Sequence, residues 1–330
     1  MKVLSIIIPA YNVEQYLEQC LNSFEVKNIL EDIEILIIND GSTDSTEKIG
    51  KRFEKKYPDT YKVITKENAG HGSTINKGIQ VAKGKYFKVI DGDDWVNHEV
   101  FEEFVQYLKN VDSDIVATEV MKIDHLTQKP IKKQEPLFWN VPFDQECKFS
   151  EVNGKAYIKM HAMTIKTSIL RDNEIRITER QFYVDAEYIF YPLPYVKTII
   201  FHNIQLYIYR LGLPGQSMDI TKMQRNSCQH LNVLNNMLNY YKNFERESIE
   251  EGTLHYMQNS IARILVSQLK IYISFPLKNG MRKEAMLLDK RIKKEFPEIY
   301  RNVKNKSIWL LRKTKYLLFP LAVLSFRIKQ

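Results

Sequence analysis

The chain has little cysteine. Cys20, Cys147 and Cys228 are an odd number in 330 residues, lie far apart and form no CxxC. That excludes a disulfide framework and a zinc cluster and fits a reducing compartment. No GxxxxGK[ST] occurs, which excludes a P-loop. The near miss to GxGxxG, Gly70-His71-Gly72 followed by Ser73, Thr74 and Ile75, lacks its third glycine, so a dinucleotide fingerprint is discounted too. The longest apolar run, Tyr316 to Phe326, is shorter than the roughly 20 residues a membrane-spanning helix needs. The N-terminus enters a strand (Leu4 to Ile8) without a signal-peptide layout, so a cytoplasmic protein is expected. There is no internal repeat and no low-complexity linker.

What is present is the composition of a globular chain, 44% hydrophobic and 27% charged. The length allows one large domain or a domain with a substantial appendage. The net charge of +8 is uneven. Its basic excess gathers near the C-terminus, in Arg282-Lys283, Lys290-Arg291, Lys293-Lys294, Lys304, Lys306, Arg312-Lys313, Lys315, Arg327 and Lys329. An anionic partner suits that end: a membrane surface, a lipid phosphate or nucleic acid. For any single pair of charges a solvated helix face is the simpler account.

Hydrophobic periodicity divides the first 120 residues into alternating strands and helices. Residues 3–8 are an apolar, β-branched run that Pro9 ends. Tyr16, Leu17, Cys20, Leu21 and Phe24 recur at helical spacing over 14–24. Ile33 to Ile38 is a second buried strand, and Asp44 to Glu47 reads as a capping box for a helix to about Tyr57. A strand over 61–65, a helix over 73–82, a strand over 85–90, a helix over 98–109 and a strand over 114–119 follow. This rhythm predicts an α/β fold with a mainly parallel sheet flanked by helices. Residues 124–150 read as loop and short strands, 164–171 as a short helix, 185–190 as a helix, and 197–202 and 205–210 as strands. From about 220 the pattern is helical, with Leu231, Leu234, Leu238 and Tyr241 on one face and Ile261, Leu265, Leu269 and Ile273 on another. The expected organisation is a domain over 1–218, in halves 1–120 and 121–218, and a basic helical extension over 219–330.

The most informative stretch is Asp91-Gly92-Asp93-Asp94-Trp95, which follows the strand Lys85 to Ile90. Packing does not call for several carboxylates at one strand end. A hard divalent cation or a ribose diol does, and in α/β sheets ligands gather outside the carboxyl ends of strands. On spacing alone the stretch also serves as a solvated acidic turn. Two other strand ends carry polar groups, Pro9-Ala10-Tyr11-Asn12 and Asn39-Asp40-Gly41-Ser42. In a parallel sheet the three converge. An aromatic ring, a carboxylate that accepts from a base N–H, and acids that hold a metal together describe a nucleotide-diphosphate site.

The segments Ser5 to Asn12, Glu34 to Asp44 and Gly84 to Asp94 resemble glycosyltransferase family 2. The resemblance is specific over 3–120, looser to about 218, and does not reach the C-terminal third. It implies a GT-A (Rossmann-like) fold and an inverting, metal-dependent transfer from a nucleotide-sugar donor. By resemblance, Tyr11 and Asp40 would contact a uracil-type base beside Pro9. Asp91 would bind the ribose or a metal-bound water, next to Gly92. Asp93 would be the direct Mn²⁺ or Mg²⁺ ligand, with Asp94 nearby. The segment Asn68 to Gly78, with Asn76, also fits the donor side, although the family's frequent arginine is Ile75 here. His71 would face the donor phosphates.

An inverting displacement needs a base to take the acceptor proton. Phe182 to Phe190 resembles the family segment in which an acid opens a helix beside the acceptor, so Asp185 is the expected catalytic base and Glu187 the reserve. Without the family context Asp185 reads as a helix cap. Arg210 would neutralise diphosphate charge, Gln216-Ser217 would sit on a lid, and Lys166 and His161 are acceptor-side candidates. The acceptor would be a glycan or lipid-linked saccharide of a cell-surface polysaccharide. The segment Ile308 to Phe319 suits the interface of an anionic membrane, or packs on the protein's own core or a twin subunit.

Two other classes compete. A sugar-nucleotide-forming nucleotidyltransferase would need a Gly-rich basic loop where residues 9–14 give Pro-Ala-Tyr-Asn-Val-Glu. A non-catalytic basic module binding membrane or nucleic acid explains the charge of +8 but leaves Asp91 to Asp94 unexplained. Nucleic acid is therefore not expected as a partner. Sugar, linkage, metal and oligomeric state are not legible in the residues.

Overall fold

The computed structural model describes residues 2–131, 136–213, 216, 219–245 and 248–328. The chain divides into two compact units, Met1–Pro214 and Gly215–Gln330.

The first unit is built on one sheet. Its strands are β1 (Leu4–Ala10), β2 (Ile33–Asn39), β3 (Tyr61–Thr65), β4 (Tyr86–Val89), β5 (Trp95–Val96), β6 (Ile115–Asp124), β7 (Glu146–Lys148), β8 (Met163–Lys166) and β9 (Thr198–Leu211). They lie in the order β3-β2-β1-β4-β8-β6-β9-β5, with β7 on β9. The long registers, β3-β2-β1-β4 and β6-β9, are parallel, while the antiparallel pairings at β4-β8, β8-β6, β9-β5 and β7-β9 are two or three residues each. The flanking helices are α1 (Glu14–Asn22), α2 (Thr46–Lys56), α3 (His71–Val81), α4 (His98–Asn110), α5 (Thr167–Asp172) and α6 (Asp185–Phe190).

Every residue of β1 and β2 is buried, as the unbroken apolar runs require of strands covered on both faces. Alternation sorts them. Leu4, Ile6, Ile8 and Ala10 share a core with Leu17, Leu21, Phe24, Phe53, Phe101 and Phe104. Ile7 points the other way onto α3, so closely that a Cβ on Gly78 would lie 2.8 Å from it.

Several expectations change in detail. Pro9 does not end β1, which runs to Ala10. Ala10 O accepts from Asp40 N on the β2 side, so alternation turns Pro9 toward β4, and β4 has already peeled away after Ile90 N donates to Ile7 O. The missing N–H therefore falls where no ladder bond exists. The capping box does not form: the N-cap of α2 is Ser45, and Asp44 accepts instead from Thr46 N (2.9 Å) and Glu14 N (3.1 Å). The short helix expected over 164–171 begins only at Thr167, as α5, because the residues before it are strand β8, pinned antiparallel between β4 and β6. The two late strands are one, β9, with a register shift against β6 at Thr118 to Val120.

The second unit is helical: α7 (Ile220–Arg225), α8 (Ser227–Asn243), α9 (Glu251–Ser274), α10 (Met281–Glu295), α11 (Pro297–Arg301), α12 (Lys306–Lys313) and α13 (Phe319–Ile328). Helix α9 is its centre, with α7, α8, α10, α11 and α13 packed on it. Of the expected stripes, Leu234, Leu238, Tyr241, Ile261, Leu265, Leu269 and Ile273 are buried, while Leu231 is only half-buried. Several buried polar groups pair: His230 Nδ1 with Gln268 Oε1 at 2.8 Å, Gln258 Nε2 to Tyr241 OH at 2.9 Å, and the Arg312 guanidinium forked on Asp289. Among the described residues no helix is long and apolar enough to cross a membrane.

Candidate active site

Strands β2, β1 and β4 are neighbours and parallel, so the polar segments after Asn39, Ala10 and Val89 emerge side by side. The first two are lashed together. Asn12, at φ 52°, takes Thr43 N on its Oδ1 (2.8 Å), and its own N–H donates to Ser42 Oγ (3.0 Å). Val13 N donates to Thr46 Oγ1 at 2.9 Å. This clasp leaves the Tyr11 ring 52% exposed at the sheet edge, available to stack on a flat ligand.

Asp40, expected at the base, is turned inward. It is 2% exposed and takes Lys66 Nζ (2.7 Å), Ala69 N (3.0 Å) and Gly70 N (2.8 Å). Its carboxylate organises the turn that opens α3. Asn68 is exposed on that turn, packed beside Gly41.

The acidic stretch is held from behind by β9. Tyr207 OH donates to Asp94 Oδ2 (2.7 Å) and lies 3.3 Å from Asp91 Oδ2, while Asp91 N donates to Tyr207 OH (3.2 Å). Arg210 N donates to Asp94 Oδ1 (2.8 Å), Arg210 Nε to Asp93 O (3.0 Å) and a terminal nitrogen to Gln19 Oε1 (2.6 Å). The guanidinium lies over the Tyr16 and Trp95 rings at 5.0 and 4.6 Å and is 3% exposed. Arg210, expected to neutralise diphosphate charge, clamps the acidic turn. Gly92 fits under Val13 and Pro9 O, where a Cβ would come within 3.0 and 3.1 Å.

In front, His71 Nε2 meets Asp91 Oδ1 at 3.1 Å, from the first residue of α3. His161 Nε2 lies 3.9 Å from Asp91 Oδ2, its ring edge-on to Tyr207 and tilted on Tyr209. One ligand atom from each of Asp91, Asp94 and His161 lies within 4.8 Å of the others, a donor set fit for a metal ion. Asp93, expected as the direct ligand, is not in that set.

The charges in this space are unbalanced. Burial disfavours ionised Asp91, but the His71 hydrogen bond and the His71 charge outweigh it and hold the carboxyl low. Burial and then the charge of Asp91 push Asp93 up to about 6. Burial, followed by Asp93 and Asp91, raises Asp94 well above the usual range. Burial lowers His161 to about 4, leaving its imidazole neutral and able to ligate. Burial opposes the His71 cation, yet Asp91, Asp185 and Asp93 raise its pKa. Two acids with suppressed ionisation beside a third that stays charged are what a divalent cation would relieve.

Asp185 reaches the same space from the second half. It is the first residue of α6 and exposed. The N-cap is Val184, without a side-chain cap bond, so Asp185 is not the capping group. The residue is exposed as a whole, yet protein crowds around its carboxyl group. That desolvation raises its pKa, the His71 charge pulls it down, and Asp91 pushes it up again.

Other candidates serve elsewhere. Glu187 is fully buried and accepts Thr178 N (2.8 Å) and Thr178 Oγ1 (3.1 Å), so it is no base in reserve. Asn76 makes a reciprocal clasp with Ile177 O and N, both at 2.8 Å, rather than facing a donor. Lys166 pairs in register with Tyr86 at the start of β4, the sheet edge opposite the acids, and reaches Asp112 and Asp114. Gln216 O accepts from Asp219 N in the second unit; Ser217 lies outside the described residues. Two contributors escaped the sequence reading. Tyr207 was hidden as one of several strand tyrosines. Lys88, a lone cation in an apolar strand, was a visible signal: it is 1% exposed, donates to His161 O (2.9 Å), and burial lowers its pKa to about 7.

The family model for glycosyl transferase family 2 matches residues 5–173, and the chain belongs to that family. Two curated relatives and one solved structure give the range of likeness. The uncharacterized glycosyltransferase EpsJ of Bacillus subtilis is 37% identical over 115 residues, 35% of this chain and 33% of that protein. The minor teichoic acid biosynthesis protein GgaB of the same organism is 28% identical over 179 residues, 44% of this chain and 20% of that protein. The matches thus span well under two thirds of either relative. The crystal structure of Staphylococcus aureus TarS 1–349 in complex with UDP superposes with a TM-score of 0.67 at 17% identity, covering 100% of this chain and 92% of that one. That likeness is one of fold, and the fold is GT-A.

Proposed function

We propose that the chain transfers a sugar, with inversion, from a UDP-sugar to a saccharide acceptor, polymeric or lipid-linked, in the synthesis of a cell-surface polysaccharide. The carrying observation is the contact of His71 Nε2 with Asp91 Oδ1, which joins α3 to the acidic turn at the carboxyl edge of the sheet, with Asp185 at the start of α6 near enough for their charges to act on one another. UDP in the TarS complex and the teichoic acid pathway of GgaB support the choice of donor and polymer class.

In this reading Tyr11 stacks on the base and Asp40 acts through the turn it holds. Asp91 anchors the diphosphate side, with Asp94 and His161 behind it and Asp93 supplying further negative charge. A divalent cation, Mn²⁺ or Mg²⁺ by the hardness of these carboxylates, would be held there and offset leaving-group charge. His71, whose pKa Asp91 raises, brings an imidazole to the phosphate side of the site. Asp185, in its carboxylate form, takes the proton of the acceptor hydroxyl as it attacks the anomeric carbon. A panel of UDP-, GDP- and CDP-sugars with Mn²⁺ and an envelope-polymer acceptor tests this. Nucleotide release from one UDP-sugar, stimulated by acceptor, is expected; release from none, or equal use of all three bases, would refute it.

A further inference from the structure

The second unit carries a surface that the transfer chemistry does not use. Helix α13 is apolar on both faces. Phe319 and Val323, one turn apart and each 2% exposed, face inward, where α13 packs on α9. Leu321 and Leu324 occupy the opposite side at 60% and 57% exposure, and Leu317, in the turn before the helix, is 69% exposed. The same division holds on α12. Ile308 and Leu311 are buried, while Trp309 is 56% exposed with Lys313 Nζ 4.9 Å from its ring. Adjacent large apolar side chains left in water mark a contact surface.

Charge says what the contact is. The last 32 residues contain eight lysines and arginines and no acid, which equals the entire net charge of +8. Of these, Arg312 is committed inside the fold to Asp289 and Tyr300 O, whereas Arg301, Lys304, Lys306, Lys313, Lys315 and Arg327 are exposed. A second copy of this face would bring like charges together and offers no acid within the segment to neutralise them. A sheet of anionic headgroups over acyl chains satisfies both features, with leucines and Trp309 entering the apolar boundary and cations meeting phosphates.

We infer that α12 and α13 form an interfacial anchor, with Leu317, Leu321, Leu324 and Trp309 inserted and Lys313 and Lys315 on lipid phosphates. This face belongs to the second unit and is built from none of the strand-end residues, so it stands or falls independently of the donor reading.

The test is sedimentation of the full chain with vesicles of phosphatidylcholine alone or mixed with phosphatidylglycerol, at low and high salt. Binding is expected only with the anionic lipid, weakened by salt, with a blue shift of emission absent from Trp309→Phe. Each cation near such a surface is worth about a fivefold gain, so Lys313→Gln with Lys315→Gln should weaken binding roughly 25-fold. Leu321→Ser with Leu324→Ser should weaken it at least about tenfold, both pairs keeping the wild-type melting temperature and nucleotide binding. Indifference to anionic lipid, or binding unchanged by either pair, would overturn the assignment. So would a dimer that the leucine pair disperses while vesicles are ignored, which would give the face to a second copy. Binding to free inorganic phosphate as tight as to vesicles would reduce it to an ion site and likewise overturn it.

Discussion

Replacing Asp185 by Asn tests the assignment of the base, and two roles for that carboxylate predict different magnitudes. As a mere charge at the start of α6, Asp185 would contribute about 0.3–1 kcal/mol to stability and little to turnover. As the general base, its loss should lower kcat by roughly 10²–10⁴, or about 2.7–5.4 kcal/mol of barrier. The side chain is exposed, its N-cap neighbour Val184 makes no side-chain cap bond, and Asn is isosteric, so the fold should persist. The pH profile adds an independent sign. Desolvation and Asp91 raise the pKa of Asp185 against the pull of His71. A base must be deprotonated, so kcat/KM should fall as pH drops through a pKa above the ordinary carboxylate range, and Asp185→Asn should abolish that limb. The assay is single-turnover transfer with saturating donor, alongside donor affinity by calorimetry. Donor affinity should stay within about threefold, since this carboxylate acts on the acceptor. Turnover within fivefold of wild type, or an unchanged acid limb, would refute the reasoning.

Lys88 gives a stability prediction. Its pKa is lowered from 10.5 to about 7 by burial, so between those values the unfolded chain binds more protons than the folded one, and stability rises with pH. Urea unfolding should show this as a slope of at most about 1.4 kcal/mol per pH unit across that window, missing from Lys88→Met; identical slopes in both proteins would count against it. Gly72→Ala should destabilise by roughly 1–3 kcal/mol, because the added Cβ would sit 2.1 Å from Thr178 O and backbone must move. A melting temperature equal to wild type would show that the 177–181 segment yields freely.

The strands that carry the site were legible because β1 and β2 are unbroken apolar runs with polar ends, a local pattern. Their convergence followed from parallel connection. Pro9 misled because its effect depends on whether a neighbour strand remains to accept a bond. Residues 164–166 misled because so short a segment has no period of its own and takes its form from β4 and β6. The roles of Asp40, Asn76, Glu187 and Arg210 were not legible for a shared reason. Each is a polar residue of the kind sites use, yet each meets backbone groups beyond its own element, such as Ile177 N for Asn76 and Asp93 O for Arg210. Only the folded chain tells a clamp from a ligand. The helical C-terminus was legible from periodicity, whereas the outward leucines of α13 required knowing that Phe319 and Val323 already cover α9.

The most direct measurement is calorimetric titration of UDP into the full chain with Mn²⁺ and with chelator, for wild type and Asp91→Asn, with thermal shifts beside it. At UDP about 100 times its Kd, binding to the folded state should add about 2.7 kcal/mol of apparent stability. The account predicts binding that requires Mn²⁺ and is lost in Asp91→Asn. UDP binding that is equally tight in chelator, or intact in the variant, would contradict the claim that the strand-end acids hold a nucleotide diphosphate through a divalent cation.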